Sequence, residues 1–281
     1  MKKGQVRYGR GYSPRQRSRR DREKKPISWK SKLIVAWILF LILALSYLLF
    51  FSPVFEIKEI KVSGNQAIDS ENIQSSLDDF LYKKTLIFFD RNNIFLATSN
   101  KLRETLIKDF PRILFIEVNK SIFKKTIDLE ITERKGAGIF CKNEPASPNL
   151  GECYYIDKYG VIFEEAPQTS GTLILLIKDH SERDIEMGME VIEKEFMAEL
   201  IELRTRLFDK FNLRVLEFIV ETIPYKDLKV NIHEGWYILF DKSRDLKNQL
   251  QALELVLAEK IEERENLEYI DLRIENRVYY K

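Results

Sequence analysis

Histidines and acidic pairs are the residues from which an enzymatic or metal site would be built, and this chain offers few. It has two histidines, His180 in a polar loop and His233 at a predicted strand end. Neither has a Cys, His or carboxylate neighbour at the spacing of a metal-ligand motif. The acidic pairs Glu164–Glu165 and Glu262–Glu263 each point apart on a strand or helix, which does not suit shared acid–base chemistry. Since no G-x-S-x-G, H-E-x-x-H or P-loop pattern occurs, the sequence predicts no enzyme, no metal and no cofactor.

Cys141 and Cys153 are the two cysteines of the chain. They bracket a loop that contains Pro, Asn and Gly, and the charge pattern described below places them outside the cytoplasm. Because disulfides persist outside the cytoplasm, we predict that the two cysteines are joined. Such a bond would contribute about 3 kcal/mol of stability through loop-closure entropy. Two separate thiols are the alternative.

The last segment of the chain, Glu268 to Tyr280, has the pattern of a half-buried strand. Its apolar face is formed by Ile270, Leu272, Ile274, Val278 and Tyr280, and its charged face by Asp271, Arg273, Glu275 and Arg277. A terminal strand often lies at a sheet edge, where unpaired N–H and C=O groups invite a partner strand. A proline at Arg277 is then expected to remove a ladder donor and weaken binding. The alternative is an ordinary internal strand.

Two folded regions position these residues. Residues 55–134 predict a β-α-α-β-β unit, with helices from Ser70 and over about Asn93 to Lys108, and a clean alternation over Thr126 to Thr132. Residues 135–281 predict a mixed domain with a largely antiparallel sheet, two amphipathic helices and a hairpin at YYIDKYGVIF. Asp157 and Gly160 occupy the first and last positions of that hairpin turn. The fold class is therefore α+β.

An apolar run from Leu33 to Phe51 precedes both regions and contains no charge, Pro or Gly. Its length of about 28 Å matches the hydrocarbon thickness of a bilayer. The residues that follow it make a poor cleavage site, which favours an uncleaved transmembrane helix over a signal peptide.

Charge is distributed unevenly around this run. Residues 1–32 carry about +11, whereas the net charge of the whole chain is +2. Lys and Arg beside a span stay in the cytoplasm, so we predict a single-pass protein with its N-terminus inside and residues 52–281 outside. The tail lacks apolar residues for a core and is predicted to be disordered. Its charges are explained by topology, so no specific nucleic acid is expected.

The order of basic tail, single span, β-α-α-β-β unit and mixed terminal domain resembles the FtsQ/DivIB family of bacterial cell division proteins. IKEIKVSGNQAIDSENI looks like the opening of a POTRA domain, and the segment from Phe110-Pro111 to Glu133-Arg134 is similar to its second half. YYIDKYGVIF is similar to the start of the family's β domain, and YIDLRIENRVYYK closely resembles its closing strand. The stretch TLILLIKDHSERDIEMGME matches only loosely, and the cysteine pair is not typical of the family.

The resemblance implies a non-enzymatic scaffold of the division septum in the cell membrane. Family members bind FtsB and FtsL, or DivIC in some lineages, outside the membrane, and the partner strand adds to the terminal β-strand. On this chain, the partner-binding residues would be Tyr269, Asp271, Arg273, Glu275, Arg277 and Tyr279. The family's POTRA unit contributes to recruitment. Membrane lipid would contact residues 33–51.

Two other functions remain open. One is a membrane-anchored POTRA-type module in protein secretion or envelope assembly; such modules usually occur in series or feed a β-barrel, whereas one unit is visible here. The other is an anchored envelope enzyme, for which the sequence offers no nucleophile–base pair.

Overall fold

The computed structural model describes residues 29–82, 92–142, 152–181, 183–220, 227–261 and 263–281. The predicted disorder of the basic tail therefore falls outside the described residues, apart from the tail's end, which is helical. The loop between the two cysteines also falls outside them.

Helix α1 (Trp29–Phe51) contains the predicted span and is 23 residues long. At 1.5 Å per residue it measures about 34 Å, enough to cross the hydrocarbon core of a bilayer. Within the described part of the chain it is the one helix that is long and apolar enough for this. By its contacts the chain divides into two compact units, Met1–Leu49 and Phe50–Lys281.

The second unit begins with a three-stranded sheet. Its elements are β1 (Glu59–Ser63), α2 (Ser70–Tyr82), α3 (Ser99–Asp109), β2 (Ile113–Ser121) and β3 (Thr126–Glu133). Strand β3 is central, parallel to β1 and antiparallel to β2. Ile127, Leu129 and Ile131 of β3 alternate inwards and share a core with Ile73 of α2 and Leu106 of α3. Each such buried side chain contributes about 2 kcal/mol, so this core holds both helices on one face of the sheet.

Helix α3 begins at Ser99, several residues after the predicted start near Asn93. Asn93 is buried, and its carbonyl accepts hydrogen bonds from the N–H groups of Leu96 and Ala97. Its side-chain oxygen accepts a further bond from the N–H of Phe95. Local bonds of this kind compete with helix formation, and they close a separate turn before α3.

A nine-stranded mixed sheet follows. Its elements are β4 (Gly136–Lys142), β5 (Cys153–Asp157), β6 (Ile162–Glu165), β7 (Leu176–Asp179), α4 (Lys194–Phe211), β8 (Val215–Val220), β9 (Asp227–Ile232), β10 (Tyr237–Asp241), α5 (Leu246–Glu259), β11 (Tyr269–Asp271) and β12 (Tyr279–Tyr280). The strand order is β12-β11-β10-β9-β8-β7-β4-β5-β6. Most neighbouring strands are antiparallel, and the predicted α+β fold class is confirmed.

The two helices of this region make two of its three parallel pairings possible. Parallel neighbours need a crossover connection, whereas antiparallel neighbours need only a turn. Helix α4 connects β7 to the parallel β8, and α5 connects β10 to the parallel β11. The predicted apolar stripe of α4, including Leu200 and Leu207, is buried. It shares one core with Leu253 of α5, with Phe218 of β8 and with Trp236. Both helices therefore cover the same face of the sheet, and the α5 crossover delivers β11 next to β10.

The prediction of one strand over Glu268 to Tyr280 is wrong. The segment forms two short strands, β11 and β12, which pair antiparallel with each other. Between them the chain turns: the N–H of Arg277 donates to the carbonyl of Ile274, and Asn276 has a positive φ of 58°. Ile270 and Leu272 are buried as predicted, but Ile274 and Tyr280 are exposed. Two antiparallel strands alternate as one strand does, so the pattern alone did not reveal the turn.

Candidate protein-binding edge

The C-terminal edge of the large sheet is formed by β12. Strand β11 lies between β10 and β12, with Tyr237 opposite Tyr269 on one side and Ile270 opposite Tyr280 on the other. Tyr269 and Lys281 exchange backbone hydrogen bonds of 3.2 and 3.3 Å. In an antiparallel pair the next residue directs its groups the other way, so the N–H and C=O of Tyr280 face away from β11. These are the groups that a partner strand would meet.

Exposed aromatic rings accompany this backbone. Tyr279 and Tyr280 are 45% and 47% exposed. Because Tyr280 lies opposite the buried Ile270, its ring continues the helix-covered face, whereas Tyr279, opposite Asp271, lies on the other face. Tyrosine combines a large apolar surface with a hydroxyl that forms hydrogen bonds, which is why it is enriched at protein interfaces.

The open face beside the edge carries a mixed aromatic and charged surface. The rings of Tyr237 and Tyr269 stack at 5.7 Å between centroids. Lys229 lies 4.1 Å above the Tyr237 ring. The ammonium of Lys281 pairs with Glu268 at 2.9 Å, and this hydrogen bond raises the pKa of Lys281.

Arg273 fastens the start of the terminal turn to the sheet. Its guanidinium pairs with Asp271 at 2.7 Å and with Asp227 at the start of β9 at 2.8 Å. Burial would raise the pKa of Asp271, but the hydrogen bonds from Arg273 favour the charged form more strongly and lower it. The hydrogen bonds that the Arg273 guanidinium donates to Asp271 in turn raise the pKa of Arg273. The side chain predicted to recognise a partner is thus engaged within the chain.

The structure separates the six residues predicted for partner binding into two groups. Tyr269, Asp271 and Arg273 lie together and are half-buried, whereas Glu275, Arg277 and Tyr279 lie in the exposed turn and at the edge. Tyr280, which sequence reasoning assigned to the apolar face, is the residue whose backbone faces outwards.

Three other described strands, β6, β1 and β2, end their sheets. The outer side of β6 is covered, because Ile162 exchanges backbone hydrogen bonds with Met189 and Gly188. Strand β2 leaves Phe115 55% exposed, and its carbonyl at Ile116 accepts a 2.9 Å bond from Arg103 of α3. The edge of β2 is therefore partly capped by a side chain.

A cluster of ion pairs joins the two sheets. The carboxylate of Glu133, at the end of β3, accepts hydrogen bonds of 2.7 to 3.2 Å from the backbone N–H groups of residues 66–68. Arg112 bonds both Glu133 and Glu164 of β6. None of these partners is near Glu133 in sequence, so the sequence predicts no role for this residue beyond its place in the family's POTRA pattern.

Arg134 forms a second link between the sheets. It pairs with Asp157 of β5, whose side chain is 3% exposed, and it donates to the carbonyl of Pro111 at 3.0 Å. Asp157 also accepts the N–H groups of Tyr159 and Val161, which closes the hairpin turn recognised in the sequence. The Asp157 carboxylate therefore stabilises both the hairpin turn and the contact between the two sheets.

Glu133 leads to a prediction about pH. Burial would raise its pKa, but the bonds from residues 66–68 and Arg112 favour the carboxylate and lower the pKa instead. Its stabilising contribution is therefore complete above the unfolded-state pKa of about 4.3 and is lost as the pH falls through the folded-state pKa. Glu133→Gln is expected to reduce the free energy of unfolding at pH 7 by about 1–2 kcal/mol.

Urea unfolding at pH 7 and at about pH 3 measures this effect, and the difference between Glu133→Gln and wild type should shrink in acid. Glu130→Gln is the matched control, because Glu130 lies on the same strand but is exposed. A difference that is equally large at both pH values would contradict the role of the charge.

The structure joins Cys141 and Cys153 in a disulfide, as the sequence led us to expect. The two residues are direct cross-strand partners in β4 and β5, with Cα atoms 4.1 Å apart. Their neighbours Lys142 and Glu152 form the backbone hydrogen bond of the ladder. The bond therefore lies on a regular pair of strands and closes the loop that follows β4.

Groups that could perform chemistry stay dispersed. Among the described residues, no three His, Cys, Asp or Glu side chains are arranged to hold a metal ion. His180 and His233 are both exposed, and their backbone N–H groups bond to the carbonyls of Val220 and Arg214, at opposite ends of β8. Glu164 is paired with Arg112 at the junction between the sheets. The surface feature that the structure does form is the sheet edge at β12, with the exposed rings of Tyr279 and Tyr280.

Comparisons with known proteins match both parts of the second unit. Residues 55–134 match the family described as "POTRA domain, FtsQ-type". The chain is also 26% identical to the cell division protein DivIB of Clostridium acetobutylicum over 231 residues, which is 81% of this chain and 83% of that protein. The match extends well beyond the POTRA domain.

Proposed function

Since the chain belongs to the FtsQ/DivIB family of bacterial cell division proteins, we propose that it is a non-enzymatic, single-pass scaffold of the division machinery. Its outer domains bind other division proteins of the FtsB/FtsL or DivIC-like class and help to localise septal wall synthesis. The N-terminal tail lies in the cytoplasm, and the two sheets lie outside the membrane at the division septum.

The observation that carries this proposal is the C-terminal edge at β12. Its two residues have outward backbone groups at Tyr280 and exposed rings at Tyr279 and Tyr280. In strand addition, main-chain hydrogen bonds provide affinity and side-chain contacts on alternate faces provide specificity. A partner strand that pairs with the outer side of β12 would extend the sheet without disturbing the buried core.

Specificity then comes from the exposed half of the predicted set. Glu275 and Arg277 lie in the turn that leads to β12, next to Tyr279. Charges at the rim of an interface act mainly on the association rate and on partner choice. Arg273 and Asp271 hold the turn in place and act on the partner indirectly.

The proposed function can be tested in one strain by locating the protein in the cell and by identifying the proteins that it binds. A fluorescent protein is fused to the cytoplasmic tail of the full chain, and the same cells are used for pull-down of short coiled-coil division proteins. We expect a ring at mid-cell and capture of such a partner. A uniform envelope signal, with capture of secretion or outer-envelope components instead, would support the POTRA-module alternative.

A further inference from the structure

The turn between β2 and β3 exposes apolar side chains that the fold does not require. Phe123 is 100% exposed and Ile122 is 45% exposed. Lys124 and Lys125 follow them directly. A polar turn would connect the two strands equally well, and exposed apolar residues that lie together are typical of contact surfaces.

Neighbouring segments extend this surface. The carbonyl of Lys125 accepts a 2.9 Å hydrogen bond from the N–H of Lys58. Lys120, next to the turn, donates to the carbonyls of Ile94 and Ala97, and burial lowers its pKa. The turn at residues 122–125, the segment before β1 and the turn before α3 therefore meet at one end of the small sheet.

That end carries further exposed apolar groups. Val54 is 54% exposed and Phe95 is 40% exposed. The ring of Phe95 packs edge-on against Phe55 at 5.2 Å between centroids. Lys58, Lys124 and Lys125 add three cations, and Glu56 is an exposed acid in the same place. We call these residues the hairpin-tip surface: 54–58, 95 and 122–125.

A short segment of chain connects the hairpin-tip surface to the membrane anchor. Helix α1 ends at Phe51, and Lys58 follows seven residues later. An extended chain covers at most about 3.6 Å per residue, so Lys58 stays within about 25 Å of the helix end. The opposite end of the same sheet carries Glu133 and the junction to the second sheet. The apolar and basic residues thus occupy the end that the anchor tethers.

We propose that the hairpin-tip surface docks on the bilayer that α1 spans. Phe123 and Ile122 enter the boundary between headgroups and acyl chains, while Lys58, Lys124 and Lys125 lie at anionic headgroups. Aromatic rings prefer the membrane interface, and each cation near an anionic surface adds to the attraction. The inference rests on the proposed membrane anchorage and is independent of partner binding at β12.

A fluorescent label reports this contact in the full chain. Ser121→Cys, labelled with an environment-sensitive nitrobenzoxadiazole dye, is reconstituted in nanodiscs of phosphatidylcholine with about one third phosphatidylglycerol. Lys108→Cys is the matched control, because Lys108 is exposed near the C-terminal end of α3, away from the tip. We expect several-fold stronger quenching by doxyl-labelled lipid at position 121 than at position 108.

Two further variants assign the contact to the named residues. Phe123→Glu should abolish the quenching at position 121, and because Phe123 is fully exposed the fold should persist. Lys124→Glu combined with Lys125→Glu should weaken the quenching in the anionic nanodiscs. Equal quenching at positions 121 and 108, or quenching unchanged by Phe123→Glu, would overturn the proposal. Shielding that appears only after another division protein is added would also overturn it, in favour of a protein-binding surface.

Discussion

Gly160→Ala is expected to lower the free energy of unfolding by about 3 kcal/mol. Gly160 closes the turn between β5 and β6 with a φ of +79°, a conformation that costs an L-residue about 1 kcal/mol or more. A Cβ atom at this position would lie 1.8 Å from the carbonyl oxygen of Ile192, so backbone would have to move. Overpacking of this kind costs about 1–3 kcal/mol.

The close approach has a structural purpose. The carbonyl of Gly160 accepts hydrogen bonds from the N–H groups of Val191 at 2.8 Å and Ile192 at 3.3 Å. These bonds hold the hairpin against the chain that enters α4. An alanine at position 160 would push the hairpin away from the chain that enters α4, and the buried Val191 and Ile192 would lose packing as well.

Gly235→Ala provides the matched control. Gly235 also has a positive φ, +97°, but no atom lies within 4 Å of where its Cβ would be. Its replacement should therefore show only the conformational cost of about 1 kcal/mol. Denaturant unfolding of both variants measures the difference. If the two variants lose the same stability, the contact between Gly160 and Ile192 has no energetic importance.

The sequence revealed the turn at Gly160 but not what the turn touches. Asp157 and Gly160 have the residue types and spacing of a turn, and that information is local. Contact with Ile192 depends on the whole path of the chain through β6 and the segment before α4. The same limit explains the junction, where Glu133 meets residues 66–68 through the pairing of β1 with β3.

Elements were predictable where one face is buried and the other is not. The alternation in β3 and the stripe of α4 are of this kind, and both were recognised. Strand β4 was missed because Ile139, Phe140 and Cys141 are all buried, so the strand reads as a continuous apolar run after two glycines. Periodicity detects a half-buried strand, whereas a strand buried on both faces lacks that signal.

The candidate site was predictable as a surface but not in its detail. Terminal position and alternation indicated an edge, and the structure places the chain end at an edge. The pairing of Arg273 with Asp227 was hidden, because 46 residues separate them and only the order β9-β10-β11 brings them together. The sequence therefore did not show that Arg273, which we predict to contact a partner, also pairs with Asp271 and Asp227.

Tyr280→Pro is expected to weaken binding of an FtsB- or DivIC-like partner about tenfold or more. Proline removes the N–H that faces away from β11, and its ring occupies the path of an incoming strand. One lost backbone hydrogen bond at an interface corresponds to about 1–1.5 kcal/mol, close to a factor of ten in the dissociation constant. Since that N–H does not pair with β11, the free energy of unfolding should fall by less than about 1 kcal/mol.

Two variants separate the backbone from the side chain and from the turn. Tyr280→Ala keeps the N–H and removes the ring, so it should weaken binding less if the ladder provides most of the affinity. Arg277→Pro removes a donor that bonds to Ile274 within the turn, not one that faces a partner. In a continuous strand this substitution would remove a donor of the ladder. In the observed hairpin it distorts the turn instead, so it serves as the control for that distortion.

Titration calorimetry of the full chain in detergent, with the soluble outer segment of the partner, distinguishes the outcomes. A strong loss of partner affinity with Tyr280→Pro and a weaker loss with Arg277→Pro would place the partner strand on the outer side of β12. Equal losses would mean that distortion of the hairpin, and not the missing donor, weakens binding. Unchanged affinity in a folded Tyr280→Pro variant would move the docking site away from this edge, and β2, with Phe115 exposed and one carbonyl capped by Arg103, would be the next strand to test.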